Sequence, residues 1–126
     1  MSYKPTRRIV LAVNDALERQ AITQLLDELN MKVYHAYDVP TVLILLEDQH
    51  PCDLLILDAG FENPWDLFTR LRERPEMAHL PKMILTDAHE VALVGLIQVI
   101  RPYSMMRLRK TIVDVYQLNY DYNLLA

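Results

Sequence analysis

Five polar residues in this chain follow directly on apolar runs. Asn14 and Asp15 come after Arg8–Val13, Asp58 after Asp53–Leu57, Thr86 after Met83–Leu85, and Arg101, with Pro102 behind it, after Leu96–Ile100. If they converged they would offer two carboxylates, a carboxamide, a hydroxyl and a guanidinium. Two neighbouring carboxylates repel, and a hard divalent cation is their natural neutraliser. Mg2+ takes one or two carboxylates and keeps several waters. Beside such an ion Asp58 could act as an in-line nucleophile toward a phosphoryl group. Thr86 could donate to one phosphoryl oxygen, and Arg101 could pair with another through its planar fork. Each residue also has a plainer reading. Asp58 can be a turn residue, Asp15 a helix N-cap, and Thr86 an ordinary strand-end hydroxyl. Arg101 can form an ion pair with Asp58 and close the pocket without any phosphate.

The elements that would bring these residues together follow from hydrophobic period. Arg8–Val13 is a continuous β-branched run, as expected of a strand covered on both faces. From Ala16 to Leu29 the period changes, with Ile22, Leu25, Leu26 and Leu29 on one helical stripe and Glu18, Arg19, Gln24 and Asp27 elsewhere. Asn30 should stop that helix. Lys32–Tyr37 reads as a second strand. Asp38 should cap a second helix with Pro40 in its first turn and Val39, Val42, Leu43 and Leu46 facing inward. Asp53–Leu57 is the third strand. Asn63 and Pro64 should open a third helix that buries Leu67, Phe68 and Leu71. Pro81 leads into the fourth strand, and Leu96–Ile100 is the fifth. Ser104 should cap a last helix with Met105, Leu108, Ile112 and Val115 on its stripe, while Tyr120–Asn123 has no clear period. Strands alternating with helices imply a parallel sheet with helices on both faces, whose functional residues lie at the carboxyl ends of the strands.

Composition narrows the alternatives. The chain has 126 residues, the size of one domain. A net charge of −4 gives no electrostatic case for nucleic acid, and the cluster Arg101, Arg107, Arg109 and Lys110 reads as a solvated helix face. Cys52 is the one cysteine, so an internal disulfide is excluded, and it reads as a small buried hydrophobe in a reducing, cytoplasmic setting. No apolar run approaches a membrane span, and the N-terminus lacks the apolar stretch of a signal peptide. His35, His50, His79 and His89 lack metal-ligand spacing. Trp65 reads as packing for the third helix, and Met105 and Met106 as core or interface fillers.

Taken in order, the strand-end residues resemble the receiver domain of bacterial response regulators over roughly Arg8 to Leu118. Asn14-Asp15 match the family's acidic pair. The stretch from Pro51 to Asp58 is similar to the one that ends in its phosphoacceptor, Thr86 to its Thr or Ser, and Arg101-Pro102 to its Lys-Pro, which usually has a cis bond. The resemblance implies a flavodoxin/CheY-like α/β fold, a doubly wound five-stranded parallel sheet forming a single domain with a core of about 8–118 and a tail of 119–126. It implies Mg2+ held by Asp15, Asp58, Asn14 and the Gly60 backbone carbonyl, and phosphate bound by Thr86 and Arg101. It also implies a histidine kinase or phosphotransfer protein as donor, a protein partner downstream, and phosphoryl acceptance with no substrate turnover.

The departures from the family are specific. Asn14 replaces one acid, and Arg101 replaces a lysine with a larger, rigid fork. The loop Ala59–Pro64 lacks the family's Met-Pro and Asp-Gly steps. Gln98 stands where an aromatic residue usually sits. Between Thr86 and Arg101 the chain is about seven residues shorter than the family, or about two turns of helix, so the fourth helix should be shortened or missing. That change would rebuild an output face that includes Gln98, Tyr103 and Met106. Three functions are therefore separable: a phosphorylatable single-domain receiver in two-component signalling; a phosphorylation-independent pseudo-receiver acting by constitutive protein contact or homodimerisation; and an unrelated flavodoxin-like enzyme or cofactor binder. The third lacks a glycine-rich phosphate loop, a Ser/His/Asp order and Cys/His metal spacing. Because little sequence follows the last helix, output is expected through partner proteins.

Overall fold

The computed structural model describes residues 6–48, 52–61, 64–87 and 96–125, with side chains of the last helix described as far as Tyr116. Five strands run in the order β1 (Arg8–Ala12), β2 (Lys32–His35), β3 (Leu54–Asp58), β4 (Lys82–Thr86) and β5 (Leu96–Ile100). They form one sheet of spatial order β2-β1-β3-β4-β5, every pair parallel. The α-helices are α1 (Ala16–Glu28), α2 (Val39–Asp48), α3 (Pro64–Arg72) and α4 (Met105–Leu125). This is the doubly wound α/β fold expected, with its topological switch between β1 and β3.

The strand sequences dictate the layering, because successive side chains leave opposite faces of a strand. Ile9, Leu11 and Val13, Leu54 and Ile56, and Met83 and Leu85 pack with Ile22, Leu26, Leu108 and Ile112 of α1 and α4. The alternate residues Val10, Ala12, Leu55, Leu57 and Ile84 pack with Val42, Leu46, Leu67, Phe68 and Leu71 of α2 and α3. Each fully buried Leu or Ile contributes about 1.5–3 kcal/mol. β3 is buried along its whole length, which explains its unbroken apolar run.

The helix boundaries have local causes. Asp15 caps α1, its Oδ2 accepting from the Glu18 N–H at 2.8 Å. Asn30 follows with φ 60°, the left-handed stop foreseen for this position. Asp38 caps α2 by accepting from Thr41 N–H at 2.8 Å, and Ser104 caps α4 by accepting from Arg107 N–H at 3.1 Å. Asn63, expected to cap α3, lies outside the described residues, as do His50 and His89.

Four features differ from expectation. β2 ends at His35, short of the Tyr37 expected to close it. A 3-10 turn at Pro75–Met77 precedes β4. The helix α4 continues to Leu125, through the stretch in which no period was visible. Met105 is 38% exposed instead of lying on the buried stripe, because that stripe begins one turn later at Leu108. Among the described residues four α-helices are present, which accords with a reduced fourth crossover; residues 88–95, on which that reduction falls, lie outside the description.

Candidate functional site at the carboxyl edge of the sheet

Asp58 is the last residue of β3 and is only 6% exposed. It has the same parity as Leu54 and Ile56, so its side chain leaves the sheet on the face of α1 and α4. Its carboxylate is oriented by backbone donors. The Gly60 N–H donates to Oδ1 at 2.9 Å and the Asn14 N–H donates to Oδ2 at 3.2 Å. Gly60 permits this close approach: a Cβ there would lie 3.3 Å from both Asp58 Oδ1 and the Asn14 carboxamide nitrogen.

The guanidinium of Arg101 completes the setting. The Arg101 N–H extends the β4–β5 ladder to the Thr86 carbonyl at 2.8 Å, which brings the side chain to the end of β4. Its Nη2 lies 3.1 Å from Asp58 Oδ1. Of the two readings of Arg101, the ion pair with Asp58 is therefore realised. The Arg101–Pro102 bond is cis.

Arg101 does not serve Asp58 alone. Its Nε donates to Glu18 Oε2 at 2.9 Å and its Nη2 to Glu18 Oε1 at 2.7 Å, a two-point fork. Its Nη1 donates to the Leu85 carbonyl at 3.3 Å and to Asp87 at 3.4 Å. Tyr103 O–H donates to Glu18 Oε2 at 2.5 Å. Glu18 holds the guanidinium well above its ordinary pKa, with Asp58 adding to the effect. Burial, reinforced by the Glu18 hydrogen bond, likewise raises the phenol of Tyr103.

Glu18 was not among the candidate residues. Its sequence signal was an acid three residues after an N-cap Asp, a spacing that suggests a capping box. Its side chain instead reaches across to α4's leader. Tyr103, expected on an output face, joins this network through its hydroxyl, while Met106 is 81% exposed and Gln98 half-buried on β5. Thr86 is buried at the end of β4, one strand from Asp58.

On the other side of Asp58 the site is open. Asn14, Asp15 and Gly60 are exposed, and a crevice of about 470 Å³ runs from Asn14 and Gly60 past Phe61 to Tyr37, Asp38 and Arg70. Among the described residues no group of three Asp, Glu, His or Cys side chains is placed to hold a metal. Asp15 spends one oxygen on capping α1 and keeps the other, and Asp58 Oδ2 accepts only a 3.2 Å bond among those described. Asp58 meets the Asn14 backbone here and Asp15 is the next residue along, and carboxylate and carboxamide oxygens are the hard donors that a largely hydrated Mg2+ takes.

No protein-family model matches the chain, and no curated protein matches it by sequence. Solved structures do match. The chemotaxis response regulator CheY4 of Vibrio cholerae superposes with a TM-score of 0.77 at 17% identity, covering 88% of this chain and 99% of that one. This is a CheY-like receiver fold. A response-regulator receiver domain from Bacillus halodurans gives 0.77 at 18% identity over 88% of this chain and 97% of that one. The receiver domain of a sensor histidine kinase from Pseudomonas aeruginosa, which has a magnesium ion coordinated in its active-site cleft, gives 0.72 at 14% identity over 85% and 94%. The same fold occurs here with Arg101 paired to both Asp58 and Glu18 at the carboxyl edge of its sheet.

Proposed function

We propose that this chain is an atypical receiver module of two-component signalling, which takes a phosphoryl group on Asp58 and passes its signal by protein contact. The observation that supports this reading most is the Asp58 carboxylate itself: buried at a strand end, 3.1 Å from the Arg101 guanidinium, and oriented by the backbone N–H groups of Gly60 and Asn14, two residues that line an open crevice. The donor in this reading is a phosphohistidine of a kinase or phosphotransfer protein. An Asp58 oxygen attacks phosphorus in line, the P–N bond breaks as the O–P bond forms, and the released imidazole takes its proton from water. In this reading Arg101 offers positive charge to the transferred group and the Thr86 hydroxyl would donate to it. Mg2+ would be held by Asp15, Asp58, Asn14 and the Gly60 carbonyl, and would supply charge neutralisation between Asp58 and the incoming group.

A small phosphodonor with Mg2+ should add one phosphoryl mass to the wild-type protein and none to Asp58→Asn; the absence of an adduct from both the wild type and Glu18→Gln, which frees the Arg101 fork, would overturn the reading. A second reading, the pseudo-receiver, is favoured by one observation. Arg101 already gives its bidentate face to Glu18, so Asp58 has a countercharge without metal or phosphate. Under that reading Asp58→Ala leaves output intact, while substitutions on α4 abolish it.

A further inference from the structure

Among the described residues the Arg101 side chain makes four hydrogen bonds: Nε to Glu18 Oε2, Nη2 to Glu18 Oε1, and Nη1 to the Leu85 carbonyl and Asp87. Its Nη2 also lies 3.1 Å from Asp58 Oδ1 as an ion pair, and a guanidinium has only five N–H donors in all. The two shortest of these contacts, 2.7 and 2.9 Å, belong to Glu18 and occupy the parallel N–H pair that recognises planar anions best. The Glu18 side chain is itself 14% exposed, and Tyr103 O–H anchors the same carboxylate. Glu18 therefore stands as an internal anion on the cation that a phosphoryl group at Asp58 would need.

We propose that Glu18 is a positioning residue that restrains phosphoryl acceptance at Asp58 by competing for Arg101. This rests on the reading of Asp58 as a phosphoacceptor and adds how that site is regulated. A phosphoryl group on Asp58 brings dianionic oxygens toward Nη2, which is shared between Asp58 and Glu18. It gains a two-point partner only when Glu18 gives up its fork, and until then the Glu18 charge repels it. The occupied state of the site therefore has Arg101 released from α1 and turned to the phosphoryl group. Glu18 then keeps only its bond from Tyr103, so one of the two ties between α1 and the segment leading into α4 is lost. Departure of Glu18 from Arg101 is in this way the step that links chemistry at Asp58 to the position of α4.

The test uses the full chain with a small phosphodonor and Mg2+, read by intact mass over time. Glu18→Gln keeps the shape and the α1 cap, since the cap uses the Glu18 backbone N–H, but removes the competing charge. It should raise the initial rate of adduct formation by roughly fivefold or more, the lower end of ordinary coupling between two ligands of one site. Glu18→Asp, which keeps the charge, should return most of the restraint. Tyr103→Phe, which frees one Glu18 oxygen, should give a smaller rise. A residue with only a structural role would lower the rate when replaced, so the direction of the change is decisive. If the wild type accepts phosphate and Glu18→Gln accepts it no faster, the competition is refuted and the role of Asp58 stands. If only Glu18→Gln accepts phosphate, the restraint is upheld and the wild type is latched. If neither accepts it, the phosphoacceptor reading of Asp58 fails and the restraint falls with it.

Discussion

The sheet buries an ionisable side chain at each of its edges, and the two are held in different ways. At the carboxyl edge Asp58 faces Arg101, which also holds Glu18 and Asp87. At the amino edge Lys82, 8% exposed, has no acidic partner among its described hydrogen bonds, and its Nζ donates to the carbonyls of Met77 and Leu80 at 3.2 and 2.9 Å. The carbonyls of Met77, which ends the 3-10 turn, and of Leu80, just before β4, are fixed by the backbone and cannot change partner without local unfolding. Carboxylates on three different elements can exchange a guanidinium by rotating side chains. The first arrangement suits a structural staple; the second suits a site whose charge state has to change. Burial lowers the Lys82 pKa, as expected for an amine satisfied by dipoles without a counter-ion.

The sharpest way to break this contrast is to remove the shared cation. Arg101→Ala leaves Asp58 and Glu18 both poorly solvated and uncompensated, and should cost about 3 kcal/mol of unfolding free energy by urea titration. Arg101→Lys should recover only part of that, because an ammonium cannot serve two carboxylates with a planar fork. Lys82→Met keeps the stem and removes the donor to two carbonyls. It should cost about 1–2 kcal/mol and leave Asp58 adduct formation unchanged. If Lys82→Met altered adduct formation as much as Arg101→Lys does, the division of labour between the edges would be wrong.

Smaller effects come from titration. The Tyr103 phenol is raised in the fold, so between its unfolded value near 10 and its folded value the native state binds more protons than the unfolded state. Stability contributed there is full below about pH 10 and declines as pH rises above it. Tyr116 acts in the same direction through burial, its hydroxyl having no hydrogen-bond partner among the described residues. Replacing Tyr103 by Phe should therefore flatten part of the alkaline loss seen by thermal melts. His35 works at the other end. Burial, with Arg19 nearby, depresses its pKa below 6.5, and its Nδ1 is buried without a partner among the described residues. The unfolded state binds the extra proton, so stability should fall as pH drops below about 6.5, and His35→Gln should remove that slope.

The sequence announced the fold well because its strands are long apolar runs closed by single polar residues, and the strand ends of a parallel sheet must share one edge. Asp58, Thr86 and Arg101 were legible on that ground, since each ends its own strand. Gly60 was also expected at the site, where it contributes an N–H to Asp58. Glu18 was not legible. It lies on a helix among other charged residues, and nothing in its spacing says that it spans 83 positions to meet Arg101. That contact depends on Asp58 leaving the sheet on the α1 face, a matter of strand parity and crossover geometry. Tyr103 was placed on an output face rebuilt by the shortened fourth crossover, and only the packing of α4 on α1 turns its hydroxyl to Glu18. The length of α4 was missed for another reason: its last turns have no single apolar stripe to betray them.

The most direct test of Asp58 as a regulated acceptor is an NMR titration of the full chain with Mg2+ and a phosphoryl analogue. The amide resonances of Gly60 and Asn14, which donate to Asp58, should shift together with those of Thr86, Arg101 and Glu18 and saturate with one affinity. Resonances at Lys82 and the 3-10 turn should stay in place. An unchanged carboxyl edge at saturating Mg2+ and analogue, or shifts at Gly60 and Asn14 that never reach Arg101 and Glu18, would contradict this account.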